Sequence, residues 1–171
     1  MDFEKIALGG GCHWCTEAVF LSLKGVIKVE QGFVASEGEN DSFSEAVIVH
    51  FNPKVVLLKT LIEIHLYTHK STSDHTMRKK YRSAIYTFSK EQNILVSKII
   101  KELQTLFNNQ LITRVLSFKK FKLSNEQFHN YFYANPEKPF CETYINPKLK
   151  CILDRFSNQV REEKIHAVLN L

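Results

Sequence analysis

The sequence predicts an α+β fold: a mixed β-sheet layered with helices on a ferredoxin-like core, followed by an irregular C-terminal segment. Three observations point to it. Strand-like and helix-like stretches interleave in the order strand, helix, two strands, helix, strand, helix, strand. The two adjacent strands are separated by a short polar loop, so they pair as an antiparallel hairpin rather than through a crossover. The 171 residues, 44% of them hydrophobic, suit one domain with a substantial core, residues 1–171. A doubly wound parallel sheet is the other arrangement that such interleaving allows.

Phe3 to Leu8 reads as a short strand, and Gly9-Gly10-Gly11 breaks it. From Cys12 to Lys24 the apolar residues Trp14, Ala18 and Leu21 recur at helical spacing, and Gly25 ends that helix. Val26 to Ala35 is a strand, Ser36 to Ser42 a polar loop, and Ala46 to Phe51 a β-branched run that Asn52-Pro53 stops. Leu57 to Tyr67 is an apolar-rich helix, and Thr68 to Lys80 a loop without period. Ser83 to Phe88 is a strand, and Ser89 caps a helix running to about Phe107. Thr113 to Phe118 is a further strand, and Ser124 caps a short aromatic helix with Phe128, Tyr131 and Phe132. Residues 134–171 hold Pro136, Pro139 and Pro147 and read as irregular, with a closing helix from Arg155 to Leu169.

Composition excludes several classes. No stretch approaches the roughly 18 consecutive apolar residues of a transmembrane helix. Met1 to Leu8 lacks the pattern of a secretory or transit peptide, so the expected setting is cytoplasmic, with no membrane partner. The net charge of +5 is spread along the chain, and its densest run is Arg78-Lys79-Lys80. That reads as a solvated basic face, with no nucleic acid expected. In a reducing compartment the four cysteines, Cys12, Cys15, Cys141 and Cys151, point to catalysis or metal binding rather than to structural disulfides.

The informative segment is Gly9-Gly10-Gly11-Cys12-His13-Trp14-Cys15-Thr16-Glu17. A strand runs through glycines into a helix, and Cys12 stands where the first helical N–H groups are unpaired. A thiol placed there is stabilised as thiolate, which makes Cys12 a candidate nucleophile. Zinc fits less well, because Cys141 and Cys151 lie outside the usual ligand spacing, and no metal is expected. Haem attachment requires His after the second cysteine, where Thr16 stands. A general thiol-disulfide oxidoreductase using Cys12 and Cys15 remains an alternative, although its motif usually places the aromatic before the first cysteine.

At these residues the sequence resembles the A-type peptide methionine sulfoxide reductase family. Gly11-Cys12-His13-Trp14-Cys15-Thr16-Glu17 matches that family's G-C-F-W-x-x-E-like motif. The likeness continues through Gly25-Val26, Gly32-Phe33, Ser44-Glu45-Ala46-Val47, Tyr81-Arg82-Ser83-Ala84-Ile85-Tyr86 and Phe128-His129-Asn130-Tyr131, then Asn135-Pro136 and Cys141. The resemblance implies reduction of methionine S-sulfoxide, free or in oxidised proteins, without a cofactor. It implies attack by Cys12, which becomes a sulfenic acid and condenses with a second thiol. It assigns the proton to Glu45, a role that requires a carboxyl kept protonated by its surroundings. It gives Tyr81 a hydrogen bond to the sulfoxide oxygen, places His13, Trp14 and Phe33 in the substrate pocket, makes Cys141 the resolving thiol, and names thioredoxin as reductant. Cys15, one helical turn from Cys12, and Cys151 are the other candidate resolvers. Three departures stand out: Phe33 replaces a family tyrosine, His13 replaces a pocket phenylalanine, and the loop from Lys70 to Lys80 lacks the family's aspartate. Thr76 stands at its offset, with Asp74 and His75 alongside.

Overall fold

The computed structural model describes residues 2–135, 137–161, 163 and 165. The chain folds as β1 (Glu4–Gly9), α1 (His13–Leu21), β2 (Val26–Ala35), β3 (Ser44–Phe51), α2 (Leu58–Thr68), β4 (Ala84–Thr87), α3 (Lys90–Leu103), β5 (Arg114–Ser117), β6 (Lys120–Leu123), α4 (Tyr131–Ala134) and α5 (Asn146–Phe156). The six strands form one sheet in the order β5-β4-β1-β3-β2-β6. Its inner strands, β4-β1-β3-β2, pair antiparallel and give the ferredoxin-like arrangement. β5 adds to β4 in parallel through the crossover helix α3, so the sheet is mixed.

Alternation along the strands sorts the residues into two cores. Ile6, Leu8, Val47, Val49 and Phe51 face the helices, where they meet Phe20 of α1, Leu61 and Ile64 of α2, and Leu149 and Ile152 of α5. Each such side chain contributes about 1.5–3 kcal/mol on burial. The opposite face carries a smaller core of Ala7, Val34, Ala46, Ile48, Ala84 and Tyr86. Three Cα steps join Ser117 of β5 to Lys120 of β6, a reach of about 11 Å. The strands lie at opposite edges, roughly 24 Å apart in a flat sheet. The sheet must therefore curl, and the alanines on the inner face leave room for it. Phe118 N–H bonds the carbonyl of Thr87, and Lys119 N–H that of Ala35, which stitches the two edges together. Phe121 and Lys122 of β6 approach so closely over Gly32 that a Cβ there would stand 2.2 Å from the Lys122 carbonyl oxygen.

Four local readings differ from the structure. The strand β6 has no counterpart in the sequence reading, because its largely exposed Lys-Phe-Lys-Leu lacks a buried run. Ser124 caps nothing: its hydroxyl bonds Gln31, and Asn125 caps the turn Glu126–Phe128. The C-terminal segment is helical rather than irregular, with a π-helical turn Cys141–Ile145 leading into α5. Pro147 sits in the first turn of α5, where a missing N–H costs nothing. The expected closing helix from Arg155 to Leu169 is interrupted in its first turns: α5 stops at Phe156 and a 3-10 turn covers Ser157–Gln159, while Glu163 and Ile165 are helical and residues 162, 164 and 166–171 lie outside the described residues.

Candidate active site

The site forms where β1 hands the chain to α1. Cys12 is the N-cap of α1, and its carbonyl accepts from the N–H groups of Cys15 and Thr16, both at 3.1 Å. The Cys12 thiol is half-buried. A hydrogen bond from the Cys15 side chain holds it below the ordinary thiol range, helped by the N–H groups of Trp14 and Cys15 and opposed by burial and by the charge of Glu45. The N–H groups of the helix start thus add to the effect of Cys15 in favouring the thiolate. Cys15 is pushed up, first by that same hydrogen bond and then by burial.

Glu45 projects from β3 onto the helix face and is 6% exposed. Its Oε1 lies 3.3 Å from both the backbone N and the ring Nε2 of His13, and its Oε2 lies 3.8 Å from Lys80 Nζ. His13 donates from Nδ1 to the Gly32 carbonyl at 2.7 Å. Burial holds the ring below its ordinary pKa, with Gly32 and Glu45 acting the other way and Lys80 and His129 acting with burial. Phe33 pairs with Glu45 across β2 and β3, and its ring meets that of His13 edge-on at 5.1 Å. Two of the departures from the family pattern therefore touch. The His13 imidazole thus lies between the Phe33 ring and the Glu45 carboxyl.

Tyr81 is half-buried and lines a cleft of about 760 Å³ together with Cys12, Cys15, His69, Phe140 and Lys148. The strand entering β4 is tied to Glu45: the N–H of Glu45 and the hydroxyl of Ser44 both donate to the Lys80 carbonyl. Trp14 stacks on Phe128 and Tyr131 and meets Phe140 edge-on, an aromatic cluster built by the turn before α4, by α4 and by the segment after it, and Phe140 is its member that lines the cleft.

Several residues of the site were not singled out by sequence reasoning. The Arg78 guanidinium, read from the sequence as part of a solvated basic run, donates to the carbonyls of Gly10, Ser73, Tyr81 and Lys70, and so pins the loop from Lys70 to Lys80 against the glycine turn under Cys12. His65 bonds the Gly9 carbonyl, and His69 bonds Ser83 beside Gly10. Lys148 reaches in from α5 to the Thr68 carbonyl. Burial lowers its pKa, against the pull of Cys15, Cys12 and Cys151. None of these carries a local signal, since each acts on a residue distant in sequence. Cys141 is fully buried in the π-helical turn, with its thiol raised by burial, and it faces Cys15. Among the described residues no group of three or more His, Cys, Asp or Glu is placed to hold a metal ion.

A stabilised thiolate opening on a cleft, beside a buried carboxyl, defines a thiol-dependent oxidoreductase on a ferredoxin-like sheet. The chain belongs to the peptide methionine sulfoxide reductase family, whose model matches residues 4–161. It is 33% identical to the peptide methionine sulfoxide reductase MsrA of Trichodesmium erythraeum, over 92% of this chain and 98% of that one. It is 31% identical to the MsrA of Thermus thermophilus, over 94% and 99%. Among solved structures, the reduced form of Mxr1 from Saccharomyces cerevisiae shares the fold with a TM-score of 0.72, at 24% identity over 83% of this chain and 91% of that one. Mxr1 in complex with Trx2 matches with a TM-score of 0.61, at 25% identity over 74% and 84%.

Proposed function

We propose that this protein reduces methionine S-sulfoxide, free or in oxidised proteins, to methionine, with thioredoxin as the reductant that returns it to the thiol state. The observation that carries the reading is Cys12 at the start of α1, its thiol pKa lowered by the Cys15 hydrogen bond and by the helix N–H groups and its side chain lining the cleft, with Glu45 buried nearby. The Cys12 thiolate attacks the sulfoxide sulfur, and the sulfoxide oxygen takes a proton from Glu45 and a hydrogen bond from Tyr81. The oxygen then passes to the Cys12 sulfur as its bond to the substrate sulfur and the bond between the two sulfurs break, so that methionine leaves and Cys12 is left as sulfenic acid. His13 takes the place of the missing phenol as partner of Glu45, while Trp14 and Phe33 complete the apolar side of the pocket. The sulfenic acid then condenses with a second thiol, for which Cys15 on α1 and Cys141 packed against that helix are the buried neighbours. Thioredoxin reduces the resulting disulfide, a role that the Mxr1–Trx2 complex supports. Four free cysteines support a reducing, cytoplasmic setting.

The test is release of methionine from the S- and R-sulfoxides with dithiothreitol as reductant. Turnover of the S-form by the wild type and none by Cys12→Ser is the expected result. Activity surviving in Cys12→Ser overturns the reading. Disulfide reduction without sulfoxide turnover moves the protein to the general thiol-disulfide oxidoreductases.

A further inference from the structure

We infer that Cys15, assisted by Lys148, is the thiol that first condenses with oxidised Cys12. The inference rests on the reading of Cys12 as the nucleophile that reduces the sulfoxide.

The helix start brings the two sulfurs together. An N-cap side chain is directed at the N–H groups of the second and third helical residues, and Cys15 is the third residue of α1. Helical side chains lean toward the N-terminus, so Cys15 leans back toward Cys12. The two side chains are hydrogen-bonded in the reduced protein. No segment has to be displaced for them to react. Cys141 occupies a different place, fully buried in the turn packed on α1, with Cys15 as its neighbour.

Lys148 completes the arrangement. It lies in the first turn of α5, which packs on both α1 and α2. Its ammonium is anchored on the carbonyl of Thr68 at the end of α2, and it lines the same cleft as Cys12 and Cys15. This cation faces three of the four thiols, Cys15, Cys12 and Cys151.

The pair also orders the two steps in time. While Cys12 is a thiolate it accepts the Cys15 hydrogen, and this contact is the first reason that Cys15 keeps its proton. Once Cys12 is a neutral sulfenic acid that hold lapses, and the Lys148 charge remains. Cys15 then attacks the Cys12 sulfur. A sulfur–sulfur bond forms, the S–O bond breaks, and the hydroxyl leaves with the Cys15 proton as water. The Cys12 sulfur is reduced from the sulfenic state as Cys15 is oxidised. Thioredoxin meets the disulfide at Cys12, the more exposed of the two sulfurs.

One equivalent of methionine S-sulfoxide, added without reductant and followed by acid quenching, alkylation and peptide mapping, decides the matter. The wild type is expected to release about one methionine and to carry a Cys12–Cys15 link. Cys15→Ser should reach the same final stoichiometry of methionine, more slowly because the hydrogen bond that lowers the Cys12 thiol is altered, leave Cys12 trappable by dimedone, and lose at least about tenfold in thioredoxin-driven turnover. In Lys148→Met the link should appear about tenfold later relative to the methionine released, and Lys148→Arg should restore that interval, which a packing role of the stem would not produce. A Cys12–Cys141 link in the wild type, or full recycling by Cys15→Ser, overturns the inference, and the wild-type map decides even if a variant fails to fold. Absence of methionine from the wild type would instead remove the proposed function.

Discussion

His13 Nε2 lies 3.3 Å from Glu45 Oε1, while His13 Nδ1 lies 2.7 Å from the Gly32 carbonyl oxygen. A carbonyl only accepts, so Nδ1 carries a hydrogen. Burial favours the neutral ring, whose Nε2 is then an acceptor. Glu45 is the proposed source of the proton for the sulfoxide oxygen, and His13 is the side chain set against it. Glu45→Gln keeps the shape and can still donate to His13, but the amide is no acid. Single-turnover methionine release should fall about 10²–10⁴-fold with the melting temperature unchanged. A rate near that of the wild type would move the acid role elsewhere.

His13→Phe tests the other half of the pair. Glu45, Lys80 and His129 all act on the His13 ring, and burial sets its proton affinity below the ordinary histidine value of about 6.5. The wild-type rate should therefore show a titration on the acid side of that value. In His13→Phe it should be absent, measured as kcat against pH. If both profiles coincide, His13 serves only to pack against Phe33.

Tyr81→Phe removes one of the two phenols that line the cleft, the other being that of Tyr144. Lys80 Nζ stands 5.1 Å over the Tyr81 ring and bonds its hydroxyl, so the substitution keeps the first contact and removes the second. We expect kcat to fall about tenfold to a hundredfold with little change in KM, as for a donor used mainly in the transition state. A loss confined to KM would place Tyr81 in substrate binding alone.

Gly10→Ala and Gly11→Ala separate the two glycines that follow β1. A Cβ at Gly10 would stand 2.4 Å from His69 Cδ2, whereas at Gly11 nothing lies within 4 Å. His69 cannot easily yield, because its ring is bonded to both His65 and Ser83. Gly10→Ala should cost about 1–3 kcal/mol in urea unfolding, and Gly11→Ala much less. Equal effects would mean that the His69 ring moves aside freely.

His65 sets part of the acid stability. It is buried with Nε2 on the Gly9 carbonyl, and burial takes its pKa down to about 3. The unfolded chain takes up this proton near pH 6.5, so between about 6.5 and 3 it binds more protons than the folded protein. The contribution is complete above pH 6.5 and is lost as the pH falls toward 3, by about 1.4 kcal/mol per pH unit. His69, also lowered by burial, adds in the same direction. His65→Gln should flatten the decline of stability across this window, and parallel curves for the two proteins would argue against the assignment.

The residues of β1 to α3 determine their own elements, because each signal is local. β2 was legible to the residue, Ser89 caps α3 as its sequence suggests, and the glycine run before Cys12 announces a helix start that activates a thiol. The ordered matches from Cys12 to Cys141 likewise carry the family. Tertiary structure decided what surrounds Cys12. His13 and Glu45 come from α1 and β3, and their contact exists only because β3 pairs with β2 in one register. The strand β6 owes its place to the curled sheet rather than to any apolar alternation of its own. Pro147 reads as a breaker in the chain, but at the start of α5 it helps deliver Lys148 to the thiols. Periodicity and turn chemistry act over a few residues, whereas the environment of a thiol is set by whichever distant side chains the packed core brings to it.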